Sequence, residues 1–305
     1  MIRSILVPLD GSGFSEQALP TAAAIARRES AALHLIGVHV PAAILPFGGS
    51  TPVDADFERR VRADADARLE RLARSVAHDY GVPASHALLD GPVVETIDRY
   101  ARDMGADLIT MTTHGRGGLR RAWLGSVADG LVRRTRLPVL LIRPRRRPTG
   151  RLRLAAFRRV LLPLDGSGLA EQVIPAALAV AGPTAAEFLL LRIVPPLDVP
   201  QPWVAEYAVY VQESGVRQRL DEAEAYLDHV AGRLRRDGVV AATRAVVQGQ
   251  AAIAILEEAR RVRADLIAMA THGRGGVVRM VIGSVADTVL RRAPAPLLLL
   301  RPETT

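Results

Sequence analysis

Most of the distinctive residues of this chain occur twice, and that repetition constrains its fold more than any other property. Leu6-Val-Pro-Leu-Asp-Gly-Ser-Gly13 returns as Leu161-Leu-Pro-Leu-Asp-Gly-Ser-Gly168. Thr113-His-Gly-Arg-Gly-Gly118 returns as Thr271-His-Gly-Arg-Gly-Gly276, and Gly125-Ser-Val-Ala-Asp129 as Gly283-Ser-Val-Ala-Asp287. Pro138-Val-Leu-Leu-Ile-Arg-Pro144 returns as Pro296-Leu-Leu-Leu-Leu-Arg-Pro302. The offset is 155 residues at the first motif and 158 at the others, so only three residues of net insertion separate the copies. Solenoid repeats have periods of about 20–50 residues, so this is duplication of a whole domain. The 305 residues divide into domains expected at 1–146 and 156–305. Between them runs Arg143-Pro-Arg-Arg-Arg-Pro-Thr-Gly-Arg-Leu-Arg153, too rich in proline, glycine and charge to form a core, and read as a solvated linker.

Within each copy, apolar runs alternate with helical patterns. In the first, strands are expected at Ile5 to Leu9, Leu33 to Val40, Ser85 to Leu89, Asp107 to Thr112 and Val139 to Ile142. Helices are expected at Glu16 to Arg28, Asp56 to Tyr80, Val93 to Met104 and Ser126 to Thr135. The long one carries Val61, Leu69, Leu72 and Val76 on one apolar face. The segments Pro41 to Ala55 and Pro195 to Tyr210, with Phe47, Trp203, Tyr207 and Tyr210, are read as long loops near the carboxyl edge. Short, wholly apolar strands alternating with helices imply a parallel sheet covered on both faces. The expected fold class is α/β: a doubly wound, Rossmann-like, five-stranded parallel sheet, in two tandem copies.

Composition excludes several chemistries. There is no cysteine, hence no disulfide framework, thiolate metal site or cysteine nucleophile. No segment approaches the about 20 apolar residues of a membrane helix, and the first ten residues are interrupted by Pro8 and Asp10, unlike a signal peptide. A soluble cytoplasmic protein is expected. Lysine is absent, so the 40 positive side chains are all arginine, and a Walker-type Gly-Lys-Ser/Thr loop is impossible. The net charge of +8 comes without interleaved aromatics or a reader motif, which makes nucleic acid an improbable partner.

In an open parallel sheet, ligands bind beyond the carboxyl ends of the strands, where the strand order reverses. Two glycine-rich loops fall there in each copy. One follows the first strand, Asp10-Gly-Ser-Gly13 and Asp165-Gly-Ser-Gly168. The other follows the fourth strand and opens a helix at Gly125-Ser126 and Gly283-Ser284. Glycine lets backbone approach a phosphate, successive N–H groups make an anion nest, and a helix start adds unpaired donors. Arg116 and Arg274 would supply countercharge, and Ser126 would either cap its helix or donate to a phosphate oxygen. The plainer reading is that these glycines only shape turns.

The spacing Gly115-x9-Gly125-Ser126, repeated as Gly273-x9-Gly283-Ser284, resembles the ATP-binding signature Gly-x2-Gly-x9-Gly-Ser/Thr of the universal stress protein family. The Pro-Leu-Asp-Gly-Ser after strand one and the closing strand ending Arg-Pro are similar to that family too, over nearly the whole chain, twice. The resemblance implies an adenine nucleotide alpha hydrolase-like fold and a site for adenine nucleotide, either ATP (with or without magnesium) or a relative. By motif, Asp10 and Asp165 would contact the nucleoside, with Pro8 and Pro163 beside it. Val40, and by rougher alignment Ile193, would face the adenine. Gly115, Gly125, Ser126 and Val127 would hold phosphate, as would Gly273, Gly283, Ser284 and Val285. His114, Gly117 and Gly118, with His272, Gly275 and Gly276, complete the loops, the histidines as shaping residues. The first glycine of the signature is replaced by Thr112 and Ala270. If backbone must press on the ligand there, branched Thr112 would cost more, so the second site is expected to be the stronger.

The resemblance implies a non-enzymatic stress-response protein with at most slow ATP hydrolysis. Ser12 and Ser167 look like turn residues, no Gly-x-Ser-x-Gly elbow occurs, and neither first-strand loop has the Ser-Gly-Gly-x-Asp-Ser of related ligases. No metal cluster is expected. The two domains would pair as an intramolecular pseudo-dimer through the closing strands, with a homodimer of chains open. The rival reading is a scaffold or interaction protein that has lost ATP binding.

Overall fold

The structure, a computed structural model, describes residues 1–40, 55–113, 124–144, 157–195, 205–247, 249–273 and 282–303. Chain contacts divide it into Met1–Ala156 and Phe157–Thr305. Each unit is an α/β fold built on a parallel sheet.

Apolar runs become the strands. The first unit runs β1 (Ser4–Pro8), α1 (Leu19–Glu29), β2 (Ala32–His39), α2 (Ala55–Tyr80), β3 (Ala84–Asp90), α3 (Val93–Asp103), β4 (Leu108–Thr112), α4 (Ser126–Arg134) and β5 (Val139–Ile142). Its strand order is β3-β2-β1-β4-β5, and the registered pairs are parallel. The second unit runs β6 (Arg159–Pro163), α5 (Gly168–Glu171), α6 (Val173–Ala181), β7 (Glu187–Val194), α7 (Ala205–Arg236), β8 (Val240–Val247), α8 (Ala251–Arg261), β9 (Leu266–Ala270), α9 (Ser284–Arg292) and β10 (Leu297–Leu300). It has the matching order β8-β7-β6-β9-β10, again parallel. In each unit the chain winds outward from the first strand, then returns to its other side. The order therefore reverses between β1 and β4, and between β6 and β9.

The central strands hold the core: Ile5, Leu6, Val7, Ile109 and Leu140 are wholly buried, as are Leu161, Leu162, Ile267 and Leu298. At the amino edge an aspartate staples the sheet. The Asp107 carboxylate accepts the N–H groups of Arg3 (2.7 Å) and Ser4 (3.0 Å). Asp265 accepts those of Arg158 and Arg159, both at 2.9 Å.

Three local expectations are corrected. The helix expected from Glu16 begins as a 3-10 turn, Ser15–Ala18, before α1. Pro20 has no N–H to return to the Glu16 carbonyl, so the turn tightens. Pro175 stands in the same relation to Glu171, and α5 and α6 are separate. Tyr207 and Tyr210 belong to α7 rather than to a loop. Residues 205–214 contain no proline or glycine, and that absence outweighs their modest helix propensity. Val61 does not join the buried face of α2 with Leu69 and Val76; it is 42% exposed.

Candidate functional site

Proline opens the sheet where its order reverses. The β1–β4 ladder registers Ile5 with Leu108 and Leu6 with Ile109, and stops. The β4–β5 ladder goes on to Thr112, opposite Ile142. Pro8 ends β1 without an N–H to donate, so the two central strands part there. The second unit does the same: β6–β9 pairing stops at Leu161 with Ile267, two residues before Pro163.

A cleft of about 1510 Å³ lies beyond this parting in the first unit. Pro8, Asp10, Val40, Thr112, Gly125, Ser126 and Val127 all line it. So do Gly37, Arg68, Leu69 and Val61, which the sequence did not single out for a ligand. Small-molecule sites typically span about 300–1,000 Å³, so volume alone does not choose among ligands here.

The Asp-Gly-Ser loop is built identically in both units. The Ser12 N–H (2.9 Å) and hydroxyl (2.6 Å) donate to Asp10 Oδ1. Ser167 does so to Asp165 Oδ1 at the same distances. The turn puts Gly11 at φ 78° and Gly166 at φ 80°, the left-handed region that favours glycine. Ser167 also caps α5, accepting the Ala170 N–H at 3.2 Å. These contacts fix one carboxylate oxygen of each aspartate. They also make Ser12 and Ser167 turn residues.

After the fourth strand the chain is pinned at its root. The Gly125 N–H donates to the Thr113 carbonyl (2.7 Å), and the Gly283 N–H to that of Thr271 (2.9 Å). Gly125 and Gly283 are the N-caps of α4 and α9, in extended backbone, with no side-chain cap. The expectation that Ser126 caps its helix is therefore corrected: Ser126, like Ser284, is the first helical residue. Its hydroxyl is one position too late to reach the second or third N–H. The N–H groups of Ser126, Val127 and Ala128 precede the first α4 hydrogen bond, from Asp129 N–H to the Gly125 carbonyl at 3.0 Å. Such orphan donors suit an anion. Farther along, Asp129 and Arg133 pair through two hydrogen bonds, as do Asp287 and Arg291.

Thr112 and Ala270 are ordinary strand residues, paired with Ile142 and Leu300 and almost buried. Neither has a positive φ, so a Cβ there brings no backbone strain. Gly273 is different: a Cβ on it would lie 1.9 Å from Asp165 Oδ2. A Cβ on Gly283 would stand 3.0 Å from the Thr271 carbonyl oxygen. His272 makes a 2.9 Å hydrogen bond to Thr271 Oγ1, in keeping with a shaping role.

Strand register corrects the pairing of Val40 with Ile193. Pro8 stands opposite Ile36, and Pro163 opposite Leu191. Ile193 is thus the counterpart of Val38, and Val40 that of Pro195. His114, Gly115, Arg116, Gly117 and Gly118 lie outside the described residues, as do Arg274, Gly275, Gly276 and the arginine-rich segment from 145 on.

The fold defines a tandem α/β protein, with a cleft at the switch point of the doubly wound sheet of its first unit. The universal stress protein family model matches residues 1–143 and 156–301, and the chain belongs to that family. A universal stress protein of Mycobacterium tuberculosis is 26% identical over 312 residues, covering 98% of this chain and 97% of that protein. One of Methanocaldococcus jannaschii is 30% identical over 146 residues, covering 47% of this chain and 83% of that protein. A crystal structure of a universal stress protein from Archaeoglobus fulgidus aligns with a TM-score of 0.64 at 20% identity, over 98% of this chain and 96% of that one. Among the described residues, no helix is long and apolar enough to cross a membrane.

Proposed function

We propose that this chain is a cytoplasmic stress protein that binds adenine nucleotide beyond the parted ends of its central strands, in domains spanning 1–146 and 156–305. One observation carries the reading. The seven residues of the first copy that the motif resemblance selects, and that the structure describes, surround one cleft, although they come from four separate segments. Asp10, held by Ser12, suits the ribose hydroxyls, since a carboxylate accepts hydrogen bonds and repels phosphate. The donors at the start of α4 suit phosphate. Thr112 stands in regular strand, so the altered signature is compatible with binding.

ATP is the nucleotide proposed. Among the described residues no group of three His, Asp or Glu side chains could hold a metal ion. Magnesium would then arrive on the phosphates. The proposed role is binding, with at most slow hydrolysis, in a chain whose domains pair as a pseudo-dimer through β5 and β10 and which is able to form homodimers. Thermal melting with and without ATP tests this. Ligand at about 100 times its Kd stabilises by about 2.7 kcal/mol, which raises Tm by roughly 5–10 °C for domains of this size. No shift at millimolar ATP favours the scaffold reading. That reading has one observation of its own: Gly273 is required by the Asp165 carboxylate, whether or not phosphate binds.

A further inference from the structure

We infer that the two halves are unequal sites, and that Arg192 closes the base-binding side of the second, leaving nucleotide to the first. This rests on the reading above and reverses the expectation that the second site is the stronger.

The starting point is strand register. The Leu9 N–H donates to the Ile36 carbonyl (2.7 Å), and the Leu164 N–H to the Leu191 carbonyl (2.8 Å). The next residue on the second strand is Gly37 in the first half and Arg192 in the second. Gly37 lines the open cleft. A Cβ on Gly37 would point toward α2, 2.9 Å from Leu69 Cδ1. Arg192 extends its whole side chain toward the equivalent helix, where its guanidinium lies 5.1 Å above the centre of the Tyr226 ring on α7.

The side chains beside it differ between the halves too. In the first half Arg68 donates to Glu16 at 2.8 Å, and both residues line the cleft. In the second half the matching glutamate is Glu171, and it accepts the Tyr226 hydroxyl at 2.9 Å. Arg233 holds its other oxygen. Tyr226 has its hydroxyl held well above the ordinary phenol range, chiefly by burial, then by Glu171, with Asp165 adding to it. A flat cation over a fixed aromatic ring fills space that a base needs at the end of the second strand. The first half has a glycine and an open cleft at that place.

The test uses the full chain and ATP. Calorimetric titration is expected to give one bound equivalent per chain, and azido-ATP to label peptides of the first half. Arg192→Gly is expected to raise the stoichiometry to two. Gly37→Arg is expected to abolish binding, although crowding against Leu69 can unfold the first half, so circular dichroism accompanies it and the Arg192→Gly result stands alone. Two equivalents in the unaltered chain, label in the second half, or weaker binding in Arg192→Gly (the mark of an arginine that stacks on the base) would each overturn the inference alone. No ATP bound by either protein would overturn the nucleotide reading and this one with it.

Discussion

Gly273 belongs to the repeated glycine motif, proposed above to hold phosphate, yet its nearest demand is internal. A methyl group there cannot coexist with the Asp165 carboxylate, whose Oδ2 would be 1.9 Å away. The carboxylate cannot swing aside freely, because its other oxygen is held by the N–H and hydroxyl of Ser167. Gly273→Ala should therefore cost about 1.5–3 kcal/mol, the range for hydrogen bonds to a charged group. Denaturant unfolding measures it, and a double-mutant cycle assigns it: in an Asp165→Ala background the cost should nearly vanish. An equal cost in both backgrounds would mean that the glycine is needed for something else. The same residue scale shows why a side chain is tolerated by the backbone at the first signature position. Thr112 and Ala270 sit in hydrogen-bonded strand, where any L-residue fits.

At the scale of elements, helix α8 is tied to strand β8 by charge. Glu258 is only 5% exposed and accepts from Arg261 Nε at 2.7 Å, while Arg244 Nε lies 3.1 Å away on β8. The hydrogen bond from Arg261 is the largest influence on the carboxyl, and Arg244 adds attraction; together they outweigh burial and hold it below the usual carboxylate range. A depressed folded-state value stabilises the protein above the unfolded value, and the gain is lost as pH falls through the folded one. Both arginines are about half exposed, so Glu258→Gln should cost about 1 kcal/mol at neutral pH. Paired stability curves from pH 7 downward should converge in acid; a gap that persists at the acid end would refute the electrostatic account. The elements themselves were legible from the sequence. Buried strands are unbroken apolar runs, and glycines repeated between strand and helix mark the switch-point loops. The cleft was legible only in part. That Pro8 parts β1 from β4 depends on where a ladder stops, which neighbouring strands decide. That Gly37 corresponds to Arg192 depends on register, which keeps the 155-residue offset of the first motif, whereas the rougher alignment set Val40 against Ile193, two residues short. Val61 fits a helical stripe, but α2 passes the cleft mouth at that turn and leaves it uncovered.

At the scale of the whole molecule, the net charge of +8 and the local site make opposing claims on any anion. A diffuse field attracts every polyanion, including nucleic acid, and is screened within about 10 Å at 0.1 M salt. Donors fixed at a helix start and a carboxylate fixed by Ser12 act at contact distance and are screened much less. Nonspecific duplex binding should thus be weak, with Kd in the range of about 10⁻⁴–10⁻⁶ M at physiological salt, and should fall steeply as salt rises. ATP binding should change far less over the same range. Fluorescence anisotropy with labelled duplex DNA and with a fluorescent ATP analogue, over one salt series, compares them directly. Parallel loss of both ligands would mean that arginine charge alone attracts the nucleotide and that the cleft adds no recognition. Retention of ATP while DNA is lost would assign binding to the loops at Asp10 and Gly125, where the repeated motifs first directed attention.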